Sequence, residues 1–244
     1  MAREDRSVGG EVDSIGIAEA RSALAWWLEA GVDIAVQEVP RDWLKPATPK
    51  QPARIAEPPP NIAPPSHETL NQLQAWLASS AQLPLASSAA RRIMPQGPEN
   101  AAIMLVTEAP TLEDFAAGQP IGGQSWELAK RMLAAIKIPV EQAYSASLSC
   151  FHVPGAKMSP EDRAACAEIA RRHIQLVKPK RVLLFGDGPS QALLGKPLPQ
   201  ARGHVHKVEG IRTVATFHPR ALINQPSNKS LAWKDLLLLM EDDS

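Results

Sequence analysis

Cysteine is scarce in this chain. Its 244 residues include only two cysteines, Cys150 and Cys166. Two thiols are too few for a disulfide framework, and by themselves they cannot complete a structural zinc site. This scarcity suits a reducing compartment, so we predict a cytoplasmic location. It also indicates that any chemistry depends on carboxylate, imidazole or backbone groups.

Long apolar runs are missing as well. The longest, LLLLM near the C-terminus, is far shorter than the roughly 20 residues that a membrane span needs. The first ten residues, MAREDRSVGG, mix charges of both signs and contain no apolar region typical of a secretory signal. With 44% hydrophobic residues, the chain can still bury a sizeable core. We therefore expect a globular protein with no membrane partner.

The chain has no net charge, which at first argues against a nucleic-acid partner. The charges are unevenly distributed, however, because residues 69–240 carry 19 Lys and Arg against 12 Asp and Glu. A modestly basic body of this kind permits a polyanionic partner. Many enzymes carry a similar excess on solvated faces, so the charge balance alone leaves both interpretations open.

Composition divides the chain into three parts. Residues 16–30 place apolar side chains at helical spacing, which predicts an amphipathic helix ending at Gly31. Eight prolines follow within residues 46–65, a composition that favours extended backbone over helix or sheet. We predict an N-terminal helical extension over 1–45, a proline-rich linker over 46–66 and a folded domain over 67–244. The extension is a candidate site for binding a protein partner.

Apolar runs and amphipathic helices alternate through the third part. This alternation predicts an α/β domain whose mainly parallel sheet is covered by helices on both faces. The expected strands are 102–107, 143–148, 181–186, 204–208 and 212–217, and the expected helices are 67–79, 124–136, 160–177, 189–195 and 230–240. Ligands bind beyond the carboxyl ends of such strands.

Polar residues stand at three of these strand ends, in TEAPT, SLSCFHVPG and FHPRAL. Glu108 directly follows the first strand and precedes Pro110, while His218 follows the last one. Both side chains are of types that serve in acid, base or electrostatic catalysis. A glutamate here can also cap a helix or face solvent, and a histidine after a strand is often a hydrogen-bonded structural residue.

Taken in order, the segments TEAPT, GQPIGG, KPKRVLLFGDGPSQALLG, ARGH and TFHPRALINQPSNKSLAWKDL resemble the bacterial family-4 uracil-DNA glycosylases. The resemblance covers about residues 70–240. It implies a three-layer α/β/α fold with a mainly parallel central sheet. It also implies hydrolysis of the N-glycosidic bond of uracil or another deaminated base in DNA, single-stranded or double-stranded, as in base excision repair.

The resemblance assigns roles to individual residues. The family's Gly-Glu-Ala-Pro-Gly motif falls on residues 107–111 and retains its acid as Glu108, and the histidine of its last motif falls on His218; these two are the expected catalytic residues. The expected base-binding residues are Ala109, Pro110, Ile121 and Ser147. The expected DNA-binding residues are Arg220, Asn224 and Lys229.

The chain also departs from the family pattern. Ile121 stands where the family has the aromatic ring that stacks on uracil, and Ser147 stands where it has the asparagine that reads the base edge. The family's four iron–sulfur cluster ligands correspond to Ser80, Leu83, Phe151 and Cys166. One thiol cannot build a cluster, so we predict that the cluster is absent and that no cofactor is bound. Apolar side chains, with Leu83, Leu85 and Phe151 as candidates, are expected to fill its space.

Three functions remain open on the sequence. The first is a cluster-free DNA glycosylase. The second is a DNA-binding or protein-binding module that keeps the fold but has impaired catalysis. The third, an enzyme that uses FGDGPS as a phosphate-binding loop, has little support, because the remaining spacing and the lysine of such a loop are missing.

Overall fold

The computed structural model describes residues 67–86, 90–152 and 158–241, together with the single helical residue Ser22. The chain divides into two compact units, Met1–Ala56 and Glu57–Ser244, and the elements described below all belong to the second. Except for Ser22, the helix predicted over 16–30 lies outside the described residues, as does the proline-rich linker up to residue 66. Both segments, and the protein partner suggested for the extension, stay predictions.

A five-stranded sheet forms the centre of the domain. Its strands are β2 (Ile103–Thr107), β3 (Ala143–Ser147), β5 (Val182–Phe185), β6 (His206–Val208) and β7 (Ile211–Thr216). They are arranged in the order β3-β2-β5-β7-β6, and every pairing is parallel except that of β6 with β7. Two short strands, β1 (Arg91–Arg92) and β4 (Phe151–His152), pair separately and antiparallel. The prediction of a mainly parallel sheet is confirmed.

Helices cover both faces of the sheet. They are α1 (Leu70–Ser79), α2 (Leu112–Ala117), α3 (Gly123–Ala135), α4 (Pro160–Val177), α5 (Asp187–Leu194), α6 (Leu198–Ala201), α7 (Pro219–Asn224) and α8 (Lys229–Met240). Side chains from α4, α5 and α6 pack on one face of the sheet. Side chains from α3, α7 and α8 pack on the other. These two apolar layers complete the predicted three-layer α/β/α architecture.

Local sequence explains the best-predicted helix, α4. Its N-terminus is capped by Ser159, whose hydroxyl accepts from the backbone N–H of Asp162, and Pro160 occupies the first helical position. The helix ends where Lys178 adopts a left-handed conformation, with φ of 51°. The predicted bounds, 160–177, match the observed ones.

Two short helices that the sequence analysis did not predict start inside the motif loops. Helix α2 begins after Thr111, whose hydroxyl accepts from the backbone N–H of Asp114 in a capping box. Helix α7 begins after His218, whose ring caps it. Each has only six residues, too few to show a helical period, and each depends on a capping side chain that the motif supplies.

Among residues 67–86, 90–152 and 158–241, no helix is both long enough and apolar enough to cross a membrane.

Candidate active site at the carboxyl edge of the sheet

Four motif loops meet at one edge of the sheet. Strands β3, β2, β5 and β7 are adjacent and parallel, so the segments that follow them emerge side by side. These segments begin after Ser147, Thr107, Phe185 and Thr216, respectively. The edge therefore brings together sequence positions more than a hundred residues apart, as expected for a ligand site in a parallel sheet.

Glu108 is exposed and lies against the first turn of α5. A Cβ built on Gly188 would come within 2.6 Å of Glu108 Cγ and 2.7 Å of its Oε1, so only glycine accommodates the glutamate side chain in this position. The backbone N–H groups at the start of a helix favour negative charge. The contact thus holds a carboxylate at the sheet edge and provides a favourable electrostatic environment for it.

His218 lies close to the same turn. A Cβ built on Gly186, two residues before Gly188, would be 3.8 Å from His218 Cβ. The His218 ring also contacts the Phe185 ring edge to face, with 5.9 Å between the ring centres. The two expected catalytic side chains therefore both lie next to one turn, residues 186–188.

The protonation of His218 follows from its contacts. Its Nδ1 accepts a hydrogen bond from the backbone N–H of Arg220 at 3.1 Å, so the proton of the neutral ring resides on Nε2. Burial and, to a smaller extent, the positive charge of Arg220 lower the pKa of His218 to about 4, against the opposing effect of the negative charge of Asp114. At neutral pH the ring is therefore uncharged, and Nε2–H is its available donor.

Of the two roles left open for His218, the structural one is observed, because its Nδ1 caps α7. Its catalytic role stays a prediction. A cap of this kind fixes the tautomer as well as the ring position, which a free histidine cannot do.

The predicted base-binding residues differ in exposure. Ala109 is half-buried and Pro110 is buried. Ile121 is only 1% exposed and belongs to the same apolar layer as Phe185 and Leu222. In this conformation Ile121 presents almost no surface on which a base could stack, so its role in base binding stays a prediction.

Asp114 is a site residue that the sequence analysis missed. It is 4% exposed, and its Oδ2 accepts from both the backbone N–H and the hydroxyl of Thr111, each at 2.7 Å. Its Oδ1 accepts from the N–H of Gly122 at 2.6 Å. One carboxylate therefore joins the TEAPT loop to the GQPIGG loop. The spacing Thr-x-x-Asp, typical of a capping box, is the signal that could have identified it.

The neighbouring Glu113 strengthens this connection. Its Oε1 accepts from the backbone N–H of Gln124 at 2.9 Å. A Cβ on Gly122 would lie 2.7 Å from the carbonyl oxygen of Glu113, so the second loop passes against the backbone of α2. Two acidic side chains and this glycine thereby hold the two motif loops in a fixed relation.

Ser147 pairs with Thr107 at the end of the sheet. The two residues are partners in the parallel register of β2 and β3, and the Thr107 hydroxyl donates to the Ser147 hydroxyl at 3.2 Å. Thr107 is 2% exposed, whereas Ser147 is half-buried. Ser147 is therefore the member of the pair that a ligand can reach.

The predicted DNA-binding residues all have exposed side chains. Arg220 and Asn224 lie at opposite ends of α7, and Lys229 begins α8. Lys229 also lines a shallow groove between α3 and α8, next to Trp233, which is 41% exposed. The exposure of these residues suits contact with a polyanion, and their DNA-binding role stays a prediction.

A buried aspartate in α8 stabilises the segment that precedes His218. Asp235 in α8 is fully buried and accepts from the Thr216 hydroxyl at 2.8 Å and from Arg202 Nη2 at 3.1 Å. Burial raises the pKa of Asp235, and these hydrogen bonds counteract that effect. The Arg202 guanidinium stacks on Phe217, 5.1 Å from the ring centre. The residue before His218 is thereby held to α8.

The four positions that correspond to cluster ligands lie in or next to α1, β4 and α4, which form a corner together with β1. Leu83 and Phe151 are 5% and 1% exposed and share an apolar cluster, against which Leu85 packs as predicted. Arg92 lies over the Phe151 ring at 4.9 Å, and it donates to the carbonyl oxygens of Leu77 and Ser80.

The corner does not fit an iron–sulfur cluster. Ser80, Leu83 and Phe151 offer no thiol. Cys166 is buried and is the one thiol among the four positions, too few ligands for a cluster. Within the part of the chain that the structure describes, no group of three or more His, Cys, Asp or Glu side chains could hold a metal ion.

Comparisons with known proteins agree with this geometry. The sequence model of the uracil DNA glycosylase superfamily matches residues 94–238. The type-4 uracil-DNA glycosylase of Archaeoglobus fulgidus is 26% identical over 141 residues, which are 53% of this chain and 71% of that protein. The type-4 uracil-DNA glycosylase of Pyrobaculum aerophilum is 21% identical over 180 residues, which are 69% of this chain and 92% of that protein. The family match includes the whole five-stranded sheet and all four loops at its carboxyl edge.

Proposed function

Because the chain belongs to the uracil DNA glycosylase superfamily, we propose that it hydrolyses the N-glycosidic bond of uracil or another deaminated base in DNA. The observation that carries this proposal is that Glu108 and His218 both lie next to one turn, residues 186–188, at the carboxyl edge of the sheet. A carboxylate and a neutral imidazole there supply the two kinds of group that charge separation in such a reaction requires.

The reaction breaks the bond between the sugar and the base. As this bond lengthens, positive charge develops on the sugar and negative charge on the departing base. Fixed groups aimed at developing charge stabilise the transition state more than the ground state, which is the requirement for catalysis.

Glu108 is suited to the sugar side of this transition state. Its carboxylate favours the oxocarbenium-like sugar and can orient the water that attacks it. Water adds to the sugar carbon, and one of its protons ends on the departing base. The products are an abasic site and the free base. Glu108 remains close to the helix start through its contact with Gly188.

His218 is suited to the base side. Its Nε2–H can donate to the carbonyl oxygen on which negative charge accumulates as the base leaves. A neutral donor is sufficient, because the hydrogen bond strengthens as the oxygen becomes more negative. With its pKa lowered to about 4, the ring stays neutral throughout the physiological range.

The base must leave the stack before these groups can reach it. Unpairing and extruding a nucleotide costs a few kcal/mol, least for a mismatched or single-stranded base, so this step contributes to selectivity. Arg220, Asn224 and Lys229 are proposed to hold the flanking phosphates, because their side chains are exposed around α7. Such contacts make binding strongly dependent on salt concentration.

Cleavage of defined oligonucleotides tests the proposal. Duplex and single-stranded DNA carrying one uracil, hypoxanthine or xanthine are incubated with the protein and then treated with alkali, which breaks the strand at an abasic site. We expect cleavage of at least one substrate, reduced about 10²–10³-fold in His218→Ala, as for other groups that stabilise developing negative charge. Glu108→Ala should also reduce the rate, whereas Leu112→Ala, on an exposed side chain of α2, serves as a control.

A binding module with impaired catalysis is the second candidate. The replacement residues favour it, since Ser147 offers one hydroxyl in place of an amide and Ile121 is buried. Absence of cleavage on all three bases, combined with salt-dependent DNA binding, would support the module and exclude the glycosylase.

We also propose that the protein folds and functions without an iron–sulfur cluster. The apolar packing around Leu83 and Phe151, and the presence of one thiol among the four ligand positions, support this proposal. Purified protein should contain no stoichiometric iron or sulfide and should lack the visible absorption of a cluster. Finding both elements in stoichiometric amounts would refute it.

A further inference from the structure

We infer that the groove between α3 and α8 docks a partner protein through an acidic amphipathic helix. This inference does not depend on the glycosylase function proposed above. Two observations carry it. Helix α8 exposes a stripe of large apolar side chains beside the groove, and the exposed charges on the two helices that form its walls are mostly positive.

The stripe on α8 consists of two large apolar side chains one turn apart. Trp233 is 41% exposed and Leu237, four residues later, is 45% exposed. Residues at this spacing lie on the same side of a helix. Among the described residues, only Leu112 and Val205 are also large, apolar and exposed, and both lie outside α8. Apolar side chains that are exposed next to one another mark an interaction surface more than scattered ones do.

The groove beside this stripe is mainly apolar. Helices α3 and α8 form its walls, and its lining includes Leu128, Met132 and Leu236 besides Trp233. A third helix fits between the side-chain ridges of two neighbouring helices. It fills such a groove with apolar side chains that recur every three or four residues. The lining suits a nucleic acid less well, because phosphates need polar partners where they make contact.

The charges around the groove favour an acidic partner. Arg131 lines the groove from α3, and Lys234 is exposed on α8. Among the described residues, neither cation has a carboxylate partner. The single exposed carboxylate on α3 and α8, that of Glu127, is paired with Lys130 at 2.7 Å. The surface is therefore complementary to a helix whose apolar side chains are flanked by carboxylates.

The groove leads away from the candidate active site. Helix α8 begins at Lys229, shortly after α7, and its last turn lies at the opposite edge of the sheet. There Arg181, just before β5, donates to the carbonyl oxygen of Leu239 at 3.1 Å. Arg212, near the start of β7, donates to that of Leu238 at 2.9 Å. A helix docked along α8 would thus leave the carboxyl edge open to DNA.

Binding of a synthetic peptide to the full-length protein tests the inference. The probe is a fluorescent helical peptide of about 15 residues, with leucine at every third or fourth position and mostly glutamate elsewhere. One control peptide has lysine in place of each glutamate. The other keeps the composition but distributes the leucines around the helix. In fluorescence anisotropy at low salt, we expect the probe to bind about tenfold more tightly than either control.

Three variants locate the binding. Trp233→Ala removes the aromatic anchor, and we expect it to weaken binding of the acidic probe about tenfold. Arg131→Glu reverses a charge beside the groove, so it should weaken the acidic probe and strengthen the lysine control. Leu112→Ala truncates an exposed apolar side chain on α2 and should leave the affinity unchanged. Thermal unfolding checks that each variant is folded.

The other possible occupants give different results. Equal binding of all three peptides, or a preference that survives both Trp233→Ala and Arg131→Glu, would overturn the inference. A wild-type dimer that becomes monomeric in Trp233→Ala would overturn it in favour of a second copy of the chain. Loss of DNA affinity in Trp233→Ala with peptide binding unchanged would overturn it in favour of DNA. Strand cleavage is measured separately, so failure of the glycosylase function would leave these results unaffected.

Discussion

Two histidines lie in different parts of the domain, the half-buried His218 at the carboxyl edge of the sheet and the buried His173 in the interior next to the α1–α4 corner. Burial lowers the pKa of both His218 and His173 to about 4, so each is neutral at pH 7. Their hydrogen bonds differ. His218 accepts through Nδ1 and keeps a donor on Nε2. His173 uses Nε2 in a closed interaction with the Tyr144 hydroxyl, at 2.8 Å.

The interior histidine is part of a satisfied chain of hydrogen bonds. Gln74 donates to the Tyr144 hydroxyl at 3.0 Å, which is itself free to donate to His173. Burial raises the pKa of Tyr144 to about 12, so its proton stays in place. The chain joins α1 to β3 and α4. Burial and a lowered pKa therefore do not by themselves mark a catalytic histidine, because His173 has both and its Nε2 hydrogen bond serves the interior.

The largest expected effect is on the stability of the corner. Phe151→Ala removes a ring that is 1% exposed and lies under Arg92, so we expect it to lower the free energy of unfolding by about 3–5 kcal/mol. Urea denaturation measures this. The fraction that remains folded should retain its DNA affinity and glycosylase rate. A clear decrease in the glycosylase rate per folded molecule would show that the corner and the candidate active site are not independent.

A milder variant keeps this test usable if the alanine protein does not fold. Phe151→Leu retains most of the apolar contact and should lose less stability than Phe151→Ala. Leu112→Ala, at a side chain that is 69% exposed, should change stability little.

An intermediate effect is expected from the pH dependence of stability. Between pH 6.5 and about 4, His173 binds fewer protons in the folded state than in the unfolded state, because its folded pKa is the lower one. Its contribution is therefore complete above pH 6.5 and is lost as pH falls toward 4. His173→Gln keeps an acceptor for Tyr144 but cannot titrate. Denaturation is measured at pH 7, 6 and 5. Between pH 7 and pH 5, the free energy of unfolding should fall by about 2 kcal/mol less in the variant than in the wild-type protein.

The same pH series also sharpens the comparison of the two histidines. His218 titrates in the same range, so part of the acid sensitivity should persist in His173→Gln. Equal acid sensitivity in the wild-type protein and His173→Gln would mean that His173 is not held neutral by burial.

The smallest expected effect is on the position of Glu108. Gly188→Ala places a Cβ within 2.6 Å of Glu108 Cγ and displaces the flexible carboxylate. We expect about a tenfold decrease in kcat, equivalent to about 1.4 kcal/mol in the activation barrier. Alanine is a better helix former than glycine, so thermal stability should not fall. A large loss of stability with kcat unchanged would show that Gly188 serves packing rather than the carboxylate.

Most of the layered fold is predictable from the local sequence. Period and length sufficed for the buried strands and for α4, whose Ser159–Pro160 start is a local signal. The helices α2 and α7 were missed because each has only six residues and depends on a capping side chain to begin. The order of the strands in the sheet could not be predicted from the sequence, because strands that pair, such as β5 and β7, are separated along the chain by other elements.

The motif positions of Glu108 and His218 likewise came from sequence, whereas their chemistry did not. The contact of Gly188 with Glu108 and the link that Asp114 makes between two loops depend on the tertiary structure. It also decided that Thr107 is the partner of Ser147. The physical reason is that side-chain identity and local period are properties of the chain, while proton position, burial and contact depend on groups that folding brings together from distant positions.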